Sequence, residues 1–259
     1  MSRRRWMKAL AVAVAGIAAA APARADEAVR PVVVELFTSQ GCSSCPPADA
    51  FLHELATRED VVALTWHVDI WDYLGWTDTL ARREFSLRQQ AYASAMPSRQ
   101  VYTPQAVIMG SFDTVGSRQN EVTALIDAAM GEAMTRPVVS IAIDGEIVRV
   151  TVAGDPMGLE RNAAVIFIRK QAEREVNIGQ GENGGRIIRY ANVVRQMIEL
   201  GAYDGNSVSF DIARREDIGE IYDGYAVLVQ ERRADGGPGR ILGAAILEDA
   251  AALSLAGGN

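Results

Sequence analysis

Cys42 and Cys45 are the only two cysteines in a chain of 259 residues, and they stand at the junction of a strand pattern and a helix pattern. Val32-Val-Val-Glu-Leu-Phe37 reads as a buried strand, and Gly41 supplies a turn before Cys42. Pro46 and Pro47 then fall in a first helical turn, where a missing N–H costs little. Asp49, Ala50, Phe51, Leu52, Leu55 and Ala56 continue an amphipathic helix to about residue 57. A lone Cys-x-x-Cys pair cannot build a zinc site of four cysteines. It either cycles between dithiol and disulfide or forms a static bridge. A bridge across two residues closes a short loop and contributes less than the usual ~2–4 kcal/mol, which favours the redox reading.

The pattern continues with a strand at 61–66, an aromatic and polar loop from His67 to Asp78, and a helix from about Thr79 to Ala95. A strand at 105–109 follows Thr103-Pro104, and Gly110 turns the chain into a strand at 111–115 and a helix at 118–131. Strand, helix, strand, helix, strand, strand, helix is the order of a minimal thioredoxin-like α/β domain, expected over residues 30–135. With Cys-x-x-Cys after the first strand and Thr-Pro before the third, each signal supports the other.

From residue 136 to 250 the pattern changes to an antiparallel β-rich, sandwich-like domain. Strands at 138–144 and 146–153 flank Asp144-Gly145, a hairpin signal. Residues 163–170 and 173–178 read as a strand pair. The segment Gly179-Gln-Gly-Glu-Asn-Gly-Gly185 reads as a linker or hairpin, because it lacks the GK[ST] of a phosphate loop. Further strands are expected at 187–196, 208–212, 225–231 and 241–247. This half carries no catalytic motif of its own.

At a helix N-terminus the thiolate of the first cysteine is favoured, so Cys42 is the expected exposed nucleophile and Cys45 the resolving thiol. Thr103-Pro104 is expected to be a cis peptide facing the cysteines, with the Thr103 backbone able to pair an extended substrate peptide. Glu35, on the first strand, is a candidate buried carboxylate beneath the disulfide, and His67 is a second candidate for the proton relay. His67 also raises an alternative, a copper-binding metallochaperone using Cys42, Cys45 and His67. A third reading is a non-catalytic binding module with a structural disulfide. Trp71, Tyr73 and Trp76 are expected to pack the loop onto the domain.

The first 25 residues have a basic start, an alanine-rich run over residues 9–21, and Ala23-Arg-Ala25. This is the pattern of a cleaved signal peptide, with cleavage expected after Ala25 and no membrane anchor left behind. Arg3-Arg-Arg-Trp-Met-Lys8 also fits a twin-arginine signal, so export by that route or the Sec route is expected, to the periplasm or beyond. The disulfide-permissive compartment suits the pair. The net charge is −7, and loss of the leader, with five basic residues and no acid, leaves −12. So acidic a chain, without a basic patch, does not suit nucleic acid or anionic lipid.

With these residues in view, the chain resembles a family of bacterial exported proteins classed as domain of unknown function 1223. The resemblance lies in Val34-Glu-Leu-Phe-Thr-Ser-Gln-Gly-Cys-Ser-Ser-Cys-Pro-Pro47, in His67-Val-Asp-Ile-Trp-Asp-Tyr-Leu-Gly-Trp-Thr-Asp78, in Tyr102-Thr-Pro-Gln105, and in Asn192-Val-Val-Arg195 with Gly243-Ala-Ala245. It implies a thioredoxin-like domain followed by a β-rich one, and no established activity. Cys42, Cys45 and Pro104 also resemble the redox pair and cis-proline of thioredoxin-like oxidoreductases. Gly41 in place of their tryptophan, Ser43-Ser44 in place of Gly-Pro, and the aromatic loop depart from that pattern. The expectation is an exported thiol–disulfide oxidoreductase that needs no dissociable cofactor and acts on a protein thiol or disulfide partner.

Overall fold

A computed structural model describes residues 29–97, 99–215 and 222–249. The expected export segment, residues 1–25, lies outside them. The elements β1 (Val32–Thr38), α1 (Pro46–Leu55), β2 (Val61–His67), α2 (Arg83–Ala95), β3 (Gln105–Ile108), β4 (Phe112–Val115) and α3 (Gln119–Met130) follow in the order read from the sequence. They are followed by β5 (Val139–Asp144), β6 (Ile147–Val152), β7 (Ala163–Asn177), β8 (Ile187–Tyr203), β9 (Val208–Ala213), β10 (Gly224–Arg232) and β11 (Pro238–Glu248).

Two expected boundaries move for physical reasons. The helix expected from Thr79 begins at Arg83, because Asp78 Oδ1 accepts the amides of Leu80 and Ala81 at 2.9 and 3.1 Å and fixes a turn there instead. The strand pair expected at 163–170 and 173–178 is the single strand β7, paired along its length with β8. Its register shifts between Arg169 and Lys170, so the polar stretch marks a bulge within one strand and not a turn.

Among the described residues, strands outweigh helices. Eight strands form one mixed sheet in the order β11-β10-β7-β8-β2-β1-β3-β4, and β5-β6-β9 make a small antiparallel sheet. The large sheet takes strands from both sides of the expected boundary at 135/136. Its seam is parallel and short: Thr65 of β2 lies opposite Val193 of β8. Side chains strengthen it, with Thr65 Oγ1 donating to the Ala191 carbonyl at 2.6 Å and Asn192 Nδ2 donating to the Ala63 carbonyl at 2.9 Å. Asn192 sits at φ +47°, a conformation that asparagine tolerates better than most residues.

Because side chains alternate along a strand, β1 serves two cores at once. Val34 and Leu36 pack with Ala48, Phe51 and Leu52 of α1 and with Val122 of α3. On the opposite face, Phe37 stacks on Trp66 and meets Tyr92 of α2 edge-on. The sheet curls over α2: Gln230 of β10 bonds Arg88 and Tyr92, and the Ile241 amide of β11 donates to the Met109 carbonyl just after β3. The small sheet covers β7, β10 and β11 through Val148, Val150 and Val152, which pack with Phe167, Tyr225, Val227 and Leu242.

Candidate functional site

Cys42 and Cys45 are joined in a disulfide immediately before α1. The Cys45 amide donates to the Cys42 carbonyl at 3.2 Å, closing the turn, and Ser43 and Ser44 form its exposed tip. The helix begins at Pro46, with Cys45 as its N-cap. Its first turn offers Cys42 no spare amide: Pro46 and Pro47 have none, and the Ala48 and Asp49 amides both donate to the Cys45 carbonyl. The helix dipole is the part of the expected thiolate stabilisation that survives.

Cys42 was expected to be exposed, but it is only 4% accessible, and Cys45 is at 0%. The cover comes from the glycine-rich segment 179–185, which forms the β7–β8 hairpin tip. Asn183 Nδ2 donates to the Gln40 carbonyl at 3.0 Å and to the Cys42 carbonyl at 2.8 Å. Arg186 Nη1 in turn donates to Asn183 Oδ1 at 3.2 Å. Trp76 fixes the tip from the other side. It lies against Gly179 and Gly181, where a Cβ would come within 3.1 and 3.2 Å of its atoms, and its indole donates to Gln40 Oε1 at 2.8 Å. So the β-rich half, which has no catalytic motif, still supplies a wall of the site.

The Thr103–Pro104 peptide is cis. Trp71 ties it to the cysteine turn: its indole donates to Thr103 Oγ1 at 2.7 Å, and its Cβ packs where a Cβ on Gly41 would sit, 3.0 Å away. Gln89 Nε2 donates to the Tyr102 carbonyl at 2.7 Å, and the Gly116 amide donates to the Pro104 carbonyl at 2.9 Å. Of the aromatic residues in the loop, Trp71 and Trp76 pack as expected, whereas Tyr73 is 75% exposed.

Glu35 does not lie beneath the disulfide. Strand alternation turns it toward α2, away from α1, where Arg88 binds it through Nε and Nη2 at 2.7 and 3.0 Å and Tyr92 Oη donates at 2.5 Å. Burial pulls the Arg88 guanidinium down, but Glu35 and Tyr92 outweigh it and hold Arg88 above its ordinary range. Stacked on Trp66 and Tyr92, the pair forms a saturated structural network.

The acid near Cys45 is Asp49, four residues further along α1 and therefore on the same helix face. Thr38 Oγ1 donates to its Oδ1 at 2.7 Å. Burial pushes the Asp49 carboxyl up to about 7, against the lowering pull of Thr38 and His67. His67, the last residue of β2, is fully buried, with Nδ1 2.9 Å from Asp78 Oδ2. Burial alone would raise Asp78. The attraction of His67, its bond, and the Gln40 and Leu80 amides outweigh that, holding the carboxyl below its usual range. An ionised Asp78 accepts from His67 Nδ1, which leaves Nε2 as the other ring nitrogen. Tyr190 of β8 meets the His67 ring edge-on at 4.4 Å. Among the described residues no group of three or more His, Cys, Asp or Glu is placed to hold a metal ion.

Of the residues singled out in the sequence, Cys42, Cys45, Thr103, Pro104 and His67 lie in this neighbourhood and Glu35 does not, whereas Asp49, Asp78 and Asn183 were not among the sequence candidates. Asp49 carried a readable signal, a lone acid among Ala48, Phe51, Leu52 and Leu55 on an apolar helix face. Asn183 carried none.

A family model described as "Protein of unknown function (DUF1223)" matches residues 33–230. A crystal structure of protein AGR_C_4864 from Agrobacterium tumefaciens is similar, with 35% identity, a TM-score of 0.75, and coverage of 87% of this chain and 96% of that one. HBP35 of Porphyromonas gingivalis is 15% identical with a TM-score of 0.58, covering 85% of this chain and 75% of that chain, a likeness of fold alone. No curated protein matches.

Proposed function

The chain belongs to the DUF1223 family of proteins of unknown function, and we propose that it is an exported thiol–disulfide oxidoreductase with a thioredoxin-like N-terminal region. One observation carries the reading: the chain's only two cysteines form a disulfide at the start of α1, beside a buried acid and a cis-proline segment. A purely structural bridge needs no titratable group close by. Cys42 attacks a substrate disulfide, Cys45 resolves the mixed disulfide, and the Thr103 backbone beside the cysteine turn receives the substrate chain as an added strand. The polypeptide itself supplies both sulfurs, so the exchange proceeds without a dissociable cofactor. Export to an oxidising compartment is part of the proposal and is motivated by residues 1–25.

The test is disulfide exchange by the purified chain against a protein substrate, compared with Cys42→Ser, together with trapping in Cys45→Ser. Activity lost in Cys42→Ser and a mixed disulfide accumulating in Cys45→Ser support the reading. Equal low activity in all three and no trapped species overturn it.

A further inference from the structure

One edge of β8 is paired along its length with β7, and part of the other edge is open. Where the hairpin closes, the Ile178 amide donates to the Arg186 carbonyl at 2.9 Å. From there Asn177 lies opposite Ile187, Val176 opposite Ile188 and Glu175 opposite Arg189. Opposed residues of an antiparallel pair alternate between bonded and non-bonded. The amides and carbonyls of Ile187 and Arg189 therefore point away from β7. β2 does not reach them, because it meets β8 only at Val193. Four backbone groups are left on an open strand edge.

That edge and α1 bound a groove of about 1000 Å³, lined by Pro46, Ala50 and His53 of the helix and by Ile187, Ile188 and Arg189 of the strand. The three helix residues recur at i, i+4 and i+7, so they form one stripe. Pro46 directly follows Cys45, which places one end of the groove beside the disulfide. Open edges are usually short, charged or covered, yet here Ile187 is 62% exposed at the centre of the edge. Two charges in the groove are already matched, with Arg189 Nε 2.9 Å from Glu175 and His53 Nε2 3.2 Å from Glu173. Two others are not. Among the described residues, neither Arg186, near the cysteine end, nor Glu54, at the far end, has an ion-pair partner.

We propose that this groove docks an extended segment of a partner polypeptide, added as a strand to β8 at Ile187 and Arg189. An acidic side chain of the segment lies toward Arg186 and a basic one toward Glu54. The open edge offers hydrogen bonds that only another backbone in extended form can take up together, and the apolar stripe receives alternate side chains. The opposite charges at the two ends fix the direction of the segment. From Pro46 to Glu54 the helix wall runs about 12 Å, at ~1.5 Å per residue, the reach of about four strand residues. This surface is separate from the Thr103 backbone and does not depend on disulfide exchange. It holds a partner chain next to the cysteine pair whatever passes between them.

The test is fluorescence anisotropy of the oxidised full chain with two labelled hexapeptides, Asp-Val-Thr-Val-Thr-Lys and Lys-Val-Thr-Val-Thr-Asp, which cover both strand directions. One of them is expected to bind saturably below about 1 mM. Ile187→Pro removes an edge amide that β7 does not use, so the hairpin keeps its bonds while affinity falls about tenfold. N-methylation of one alternate set of peptide amides, and not of the other, should cause the same loss with the protein unaltered. Glu54→Lys should weaken the peptide about threefold, and glutamate in place of the peptide's lysine should restore binding to that variant. Saturable binding by neither peptide overturns the proposal. So does equal binding by both N-methylated forms, or failure of the charge-matched peptide to recover affinity. A dimer of the free chain that Ile187→Pro dissociates would give the edge to a second copy, and overturns it too.

Discussion

Asn183 Nδ2 lies 2.8 Å from the carbonyl oxygen of Cys42, although 141 positions separate the two residues in the chain. This bond, and its companion to the Gln40 carbonyl, closes the β7–β8 hairpin over the first cysteine. Asn183→Ala removes both, at about 1 kcal/mol each. Alkylation of Cys42 in the reduced chain, followed by mass spectrometry, should then accelerate by up to roughly thirtyfold. An unchanged rate would show that the hairpin tip does not control access.

Asp49 makes stability depend on pH in a particular direction. Burial raises its folded-state pKa to about 7, from an ordinary aspartate value of 3.8, so the folded state holds the proton more tightly. That contribution is fully present below about pH 4 and is lost as pH rises through 7, up to about 4 kcal/mol in all. Asp49→Asn keeps an acceptor for Thr38 and abolishes the titration. In urea unfolding, the variant should gain on the unsubstituted chain between pH 4 and pH 8. A difference that is flat with pH would contradict the buried-acid assignment.

The Glu35–Arg88 pair should govern stability and leave the chemistry alone. Arg88→Met strands a buried carboxylate and is expected to cost about 3–5 kcal/mol in denaturant unfolding. The rate of disulfide exchange per folded molecule should stay unchanged, because Glu35 faces away from α1. A loss of rate without loss of stability would return Glu35 to the proton relay.

Gly116 holds α1 and the Pro104 segment close together. A Cβ there would stand 3.2 Å from that of Ala48 and 3.4 Å from that of Pro104, with buried Leu36 closer still. Gly116→Ala is therefore expected to cost about 1–3 kcal/mol, read as a lower urea midpoint with the same slope.

The local parts of this site were readable because local chemistry specifies them. The apolar run of β1, the two prolines opening α1 and the spacing of Cys42 and Cys45 each act over a few residues. Glu35 was misplaced for a definite reason: a strand residue points to one of two faces, and which face meets α1 depends on how the sheet packs, not on the run itself. The cover over Cys42 was unreadable for another. Asn183 sits in a polar, glycine-rich stretch with no periodicity, and only the pairing of β8 with β2 brings it to the cysteines. Even the length of β7 was obscured, since a bulge at Arg169/Lys170 breaks the alternation as a turn would.

The seam between β2 and β8 also has a consequence for synthesis. β2 pairs with β1 on one side only, and its other edge is met by β8, which arrives more than a hundred residues later. A nascent chain that has emerged only as far as α3 carries a bare, apolar strand edge and an uncovered cysteine pair at the same moment. Such an edge invites pairing with other chains, and an unguarded thiol invites wrong disulfides. Fragments ending near residue 135 should accordingly aggregate and cross-link unless β7 and β8 are supplied, so the first half of this protein depends on the second for a protected state.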